Sequence, residues 1–138
     1  MKLICLPARR ATPFYFGETI TPELVNYSVS FPYADAPKGK YRAQTTDVGI
    51  FPPNSFGLYD MHGNVLEWCQ DVWHSNYNGV PTDGSAWETG NDSDRRMLRG
   101  GCFDVAARDC RSARRLSSNA DAVYISVGFR LVLSVSRS

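Results

Sequence analysis

After Tyr27 no stretch of this chain keeps the three-to-four-residue apolar spacing of a long amphipathic helix, and turn-forming residues interrupt it throughout. Residues 31–54, FPYADAPKGKYRAQTTDVGIFPPN, carry four prolines and two glycines and read as a loop crossing the surface. Residues 75–94, SNYNGVPTDGSAWETGNDSD, are rich in Gly, Asn, Asp and Ser, which predicts a second irregular excursion. The texture is one of short segments broken by turn residues. Regular elements are expected in few places. Thr21 as N-cap with Pro22 at the first helical position predicts a short helix, and GFRLVLSV, residues 128–135, predicts a late closing strand. Around 65–68, Val65 and Glu67 alternate with Leu66 and Trp68 as in a strand with one buried face.

The 138 residues suit a single domain spanning 1–138, and 43% hydrophobic with 21% charged residues is a globular composition. No apolar run is long enough for a membrane span, and MKLICLPARR has too short an apolar core for a signal peptide, so a cytoplasmic protein is the default expectation. Four cysteines are few for a disulfide-stapled secreted scaffold. The net charge of +1 conceals an asymmetry: residues 1–94 carry six Lys or Arg against eleven Asp or Glu, whereas 95–138 carry nine Arg against three Asp. A bias of that size commonly pairs within its own domain, so nucleic acid is not the favoured partner.

The densest local pattern is NSFGLYDMHGNVLEWCQDVW, residues 54–73. Its Asp60 and Glu67 are separated by a glycine-marked turn, and carboxylates joined by backbone carbonyls suit calcium, although the spacing is not that of an EF-hand. His62 and His74 lie in different motifs and form no spaced ligand set, so each reads as a core or surface histidine.

NSFGLYDMHGNVLEWCQD, LRGGCF, CRSARR and VGFRLV occur in the order found in the formylglycine-generating enzyme (sulfatase-modifying factor) family, which the chain resembles from about Thr12 to Val132. The resemblance implies an α+β, irregular C-type-lectin-like fold with small twisted sheets, few helices and long ordered loops. Family domains are about twice as long, so core left open by the missing N-terminal half would be covered by another copy or another protein. Family calcium ligands match the side chains of Asp60 and Glu67 and the carbonyls of Gly63 and Val65, implying one structural Ca2+. A second family site would begin at Asn26 and Tyr27 and take a carboxylate where this chain has Lys40, whose ammonium cannot serve. Family oxidases hold copper(I) with cysteines at the fourth and ninth residues after Gly-Gly. Those positions are Val105 and Cys110 here, with Cys102 displaced to the first, so neither copper nor oxidase activity is expected.

LRGGCF to VGFRLV also resembles the variable region of proteins diversified by retroelements. Adenine mutagenesis of asparagine codons cannot reach Lys, Glu, Met, Trp or Gln, and residues 102–127 contain none of these. On this reading 12–101 is scaffold, 102–127 is a ligand-binding region, and the protein binds an unknown protein or other macromolecule. The implied contacts are Phe103, Asp104, Val105, Ala106, Asp109, Arg114, Leu116, Ser117, Ser118, Asn119, Ala122, Tyr124, Ile125 and Ser126. Phe103, Tyr124 and Ile125 are the expected apolar anchors, exposed on one continuous face, with Arg111, Ala113, Phe129 and Leu131 holding the frame beneath. The alternatives are a divergent oxidase acting on peptide cysteine and a purely structural or oligomerising module.

Overall fold

The computed structural model describes residues 12–36, 39–90 and 94–132. Strand β1 (Leu66–Val72), β2 (Arg95–Arg99), β3 (Leu116–Asn119) and β4 (Val127–Gly128) form one mixed sheet in the order β3-β2-β1-β4. A single 3-10 turn, Ala107–Cys110, is the only helical element among the described residues. The expected architecture of few helices, a small sheet and long ordered loops is what the chain adopts.

Strand β1 pairs antiparallel with β2, Trp68 opposite Leu98, and parallel with β4, Leu66 opposite Val127. Being interior to the sheet, β1 buries residues of both faces: Leu66 and Glu67 are alike covered, which corrects the expectation of one buried face. Strand β2 pairs antiparallel with β3, Leu98 opposite Leu116 and Arg96 opposite Ser118. Directly opposed residues share a face, so Leu116 and Ser118 lie with Leu98, and Ser117 and Asn119 point to the other side.

Two apolar clusters hold the chain. One gathers Phe14, Ile20, Val25, Tyr27, Val29, Ala107 and Cys110; the other, on the sheet, gathers Leu66, Leu98 and Cys102 with Trp68, Leu116 and Val127 at its margin. Each fully buried large side chain contributes roughly 1.5–3 kcal/mol. Val105 packs against both clusters and joins them.

The LRGGCF glycines have a steric reason. Gly101 has φ +76°, and a Cβ there would lie 2.6 Å from Cys110 Sγ, so only glycine lets the two segments approach. Gly63, at φ +70°, similarly leaves 2.2 Å between a built Cβ and the Asn26 carbonyl oxygen. Beside it, Asn64 Oδ1 accepts from the Thr46 amide at 2.9 Å and from Asn26 Nδ2 at 3.2 Å, stitching the irregular 31–54 segment to the sheet.

Two expected elements are shorter than foreseen. The helix expected after Thr21 is reduced to a turn at residues 22–24, with Leu24 and Val25 amides both donating to the Thr21 carbonyl at 3.0 and 3.1 Å, and Val25 and Tyr27 enter the core just beyond it. The closing strand pairs only at Val127–Gly128, and residues 133–135 lie outside the described residues. Beyond Gly128, Arg130 turns inward to Glu67, which leaves its neighbours Phe129 and Leu131 pointing outward, 64% and 76% exposed. Neither therefore holds the frame. Ala113 is exposed as well, while Arg111 is half-buried with its guanidinium over the Tyr33 ring.

Candidate functional site

Strands β3 and β4 occupy opposite edges of the sheet, so residues 120–126 must cross its width as a strap. Contacts at both ends fix this strap. The Ala120 amide donates to the Asp94 carbonyl at 2.8 Å, the Ala122 amide to Asn119 at 3.0 Å, and the Leu66 amide to the Ser126 carbonyl at 2.8 Å. Tyr124 Oη and Ser118 Oγ are hydrogen-bonded at 2.9 Å, and the Ser126 side chain bonds the Cys102 thiol, so the strap overlies the Leu66–Leu98–Cys102 face. Tyr124 is half-exposed, and Val123 and Ile125 project into solvent at 94% and 90%. The aromatic and aliphatic anchors expected at 124 and 125 are thus outside the core, on an ordered backbone.

The other expected contacts divide. Asp104 and Asn119 are exposed; Val105, Ala106, Leu116, Ser117, Ser118, Ala122 and Ser126 are half-buried. Phe103 is a correction: at 6% exposure it lies under the surface, its amide donating to the Asn64 carbonyl at 3.0 Å, and it cannot anchor a ligand in this conformation. The single continuous face is also corrected, because strand alternation sends Ser117 and Asn119 away from Leu116 and Ser118. Asp109 and Arg114 form a 2.9 Å ion pair beside the 3-10 turn, where Ala106 bridges to Ser28. Sequence reasoning missed Val123, the most exposed large apolar side chain of the strap. Its place between Ala122 and Tyr124 in an apolar run was the available clue.

Cys69, Cys102 and Cys110 are buried. Burial, followed by the Asp104 carboxylate that accepts from Cys102 Sγ at 2.9 Å, pushes the Cys102 thiol up to about 12; burial and the neighbouring Cys102 also raise Cys110. His62, 5% exposed, donates from Nδ1 to the Cys110 carbonyl at 2.7 Å while its Nε2 accepts from the Tyr15 amide at 3.1 Å, an arrangement that only the neutral ring satisfies. Burial lowers its pKa. His74 stacks on Trp87 at 3.4 Å and binds the Thr89 carbonyl, pinning the 75–90 excursion. Arg115 is held between Trp73 and Tyr77, 4.7 and 4.4 Å from their ring centroids.

At the acidic turn, Asp60 Oδ2 accepts from the Gly49 amide at 2.8 Å, but Oδ1 is buried without a hydrogen-bond partner. An unpartnered carboxylate oxygen is costly, and a hard cation would relieve it, so this end of the donor set fits calcium. The Met61 and Val65 carbonyl oxygens lie 3.7 and 3.8 Å from where a Gly100 Cβ would stand. Glu67 is shared: Arg130 Nε donates to its Oε2 at 2.6 Å and Nη2 to Oε1, while Nη1 and Nη2 also donate to the Tyr59 and Asp60 carbonyls at 3.1 and 3.3 Å. Lys40 is exposed, and Asn26 Oδ1 is buried and unpartnered.

Comparison with known proteins places this geometry. The "Sulfatase-modifying factor enzyme 1-like domain" profile matches residues 8–135. The chain is 33% identical over 109 residues to a formylglycine-generating enzyme of Thermomonospora curvata, covering 73% of this chain and 35% of that one. It is 38% identical over 97 residues to a protein named Serine/threonine-protein kinase pkn1 of Chlamydia pneumoniae, covering 70% of this chain but 16% of the relative. Among solved structures, PvdO from Pseudomonas aeruginosa superposes with TM-score 0.64 at 37% identity, over 78% of this chain and 38% of its own. Treponema denticola variable protein 1 superposes with TM-score 0.58 at 27% identity, over 78% and 34%. The chain therefore spans about a third of the formylglycine-generating enzyme and of both solved neighbours. Family profile, relatives and shape agree: this chain belongs to the sulfatase-modifying factor (formylglycine-generating enzyme-like) family and has its irregular C-type-lectin-like fold.

Proposed function

We propose that this chain is a ligand-binding domain, diversified at its surface by a retroelement and without oxidase activity. The observation that carries the reading is the strap: Tyr124 and Ile125 stand exposed on a backbone anchored at both ends, while Cys102 and Leu98 beneath are buried. Side chains on such a frame change without unfolding it, and the ordering cost is met before a ligand arrives. Similarity to a Treponema denticola variable protein supports the same reading. The contacts proposed are Asp104, Leu116, Ser118, Ala122, Tyr124, Ile125 and Ser126, with Ala106, Asp109 and Arg114 a second group beside the 3-10 turn.

Against oxidation stands Val105, which joins the two apolar clusters where the enzymes' first copper cysteine would be, together with the raised Cys102 thiol. The formylglycine-generating relatives make the enzyme reading worth testing directly. Incubation with a cysteine-containing sulfatase peptide under oxygen and copper should leave the peptide unchanged by mass spectrometry; formylglycine in it would restore the oxidase. For diversification, sequencing the locus should reveal an adjacent near-repeat of the 102–127 coding segment differing at adenines and a neighbouring reverse transcriptase. Substitutions scattered evenly along the gene would overturn it.

One structural calcium would be held by Asp60 and Glu67 and the carbonyls of Gly63 and Val65, where it supplies positive charge and rigidity to the turn. The exposed apolar side chains of Leu58, Tyr59, Phe129, Leu131 and Val132, on two segments that Arg130 ties together at the Tyr59 carbonyl, are proposed as an apolar patch for a partner. A second copy or another polypeptide covering that patch is the proposed partner. Among the described residues no helix is long and apolar enough to cross a membrane.

A further inference from the structure

We propose, resting on the reading of the strap as a contact surface, that it docks a protein partner whose own surface offers an apolar pocket bordered by lysine or arginine side chains. Val123 and Ile125 are 94% and 90% exposed and flank Tyr124, which the Ser118 hydroxyl holds in place, so the tip presents two aliphatic side chains on a fixed aromatic base. Aliphatic groups so fully in water gain free energy only in a concavity that removes them from it.

The rim fixes the charge. Residues 116–127 contain one ionisable carboxylate, Asp121, exposed in the strap, and no lysine or arginine. Asp104, also exposed, reaches the far end of the strap, since its Oδ1 accepts from the Cys102 thiol that also bonds Ser126. The nearest arginines are committed elsewhere. Arg114 pairs with Asp109, Arg115 lies between Trp73 and Tyr77, Arg95 lies on the side of the sheet opposite Leu116 and Ser118, where it donates to the Ser117 carbonyl at 3.3 Å, and Arg96, opposite Ser118, is itself engaged. The surface offered is an apolar tip between two carboxylates, whose complement is an apolar pocket with a basic rim. An anionic bilayer would meet the same carboxylates with repulsion.

The test pans the intact chain against a displayed random peptide library. Enriched peptides should combine large apolar residues with lysine or arginine. Their affinity should fall about tenfold or more in Val123→Ser with Ile125→Ser, and several-fold, with loss of salt dependence, in Asp104→Asn with Asp121→Asn. Melting curves matching the parent's keep these losses assigned to contact. Acidic or purely apolar winners that still require Val123 and Ile125 overturn the partner chemistry and leave the contact surface standing. Winners indifferent to both variant pairs overturn the surface reading too. Failure to enrich any peptide, or co-sedimentation with phosphatidylserine-containing vesicles that depends on Val123 and Ile125, overturns the proposal.

Discussion

Arg130 grips Glu67 through two nitrogens, Nε at 2.6 Å from Oε2, and thereby ties the chain's last described segment to the strand at the middle of the sheet. Both side chains are largely withdrawn from water, at 26% and 10% exposure. Removing one partner strands the other's charge. Arg130→Gln is expected to cost about 2 kcal/mol, below the fully buried case because the guanidinium keeps some water. Urea denaturation measures it, and a change within about 0.5 kcal/mol would reduce the pair to a surface contact.

Calcium should raise the melting temperature through Asp60. Asp60→Ala should abolish the gain while leaving the Arg130–Glu67 pair intact, which makes it a cleaner probe than a Glu67 variant. Arg130→Gln should enlarge the gain, because Glu67 is then free for the ion. Equal shifts in the parent and Asp60→Ala would remove the ion from this turn.

Stability should fall as pH drops from about 7 to 5. His62 is neutral in the fold, with its pKa lowered first by burial, whereas in the unfolded chain it titrates near 6.5. Below that value the unfolded state binds the proton first, so stability present above about 6.5 is lost on acidification until the folded ring also titrates. His62→Gln should flatten that part of the profile, read from denaturation midpoints at each pH. An unchanged slope would place the titration elsewhere.

Gly101→Ala should be severely destabilising, roughly 2–4 kcal/mol, because it combines a left-handed backbone with a Cβ 2.6 Å from Cys110 Sγ. A thermal melt close to the parent's would mean that the 3-10 turn yields easily.

Phe103 and Ile125 should separate core from surface. Phe103→Ala opens a cavity and is expected to cost about 3–5 kcal/mol; Ile125→Ser, at a 90% exposed position, should stay within about 0.5 kcal/mol. Comparable losses in both would mean that the strap packs more closely than its exposure indicates.

Much of this was legible in the residues because turn chemistry is local. Glycines and prolines mark 31–54 and 75–94 as irregular wherever those segments fold, and the Gly-Gly pair announces a close approach before its partner, Cys110, is known. What could not be read depends on pairing across the chain. Phe129 and Leu131 look like core because they are apolar, yet β alternation allows either them or Arg130 inside, and the need of Glu67 for a counter-charge decides it. Phe103 looks like an anchor until Asn64 claims its amide. Ser117 and Asn119 look equivalent to Ser118 until the register with Met97 and Arg95 assigns them to the opposite side. The donors proposed for calcium lie within one short motif and can be named without any long-range pairing.

The strap between opposite sheet edges also bears on how far such a protein can vary. On the proposed reading, mutations at Val123 or Ile125 would be screened by what they touch outside the molecule, whereas mutations at Phe103 or Val105 would first be screened by whether the chain folds. Under that proposal evolutionary freedom would be concentrated in the few strap positions that face solvent, and the repertoire of recognisable shapes would grow with their number and not with the length of the whole 102–127 segment.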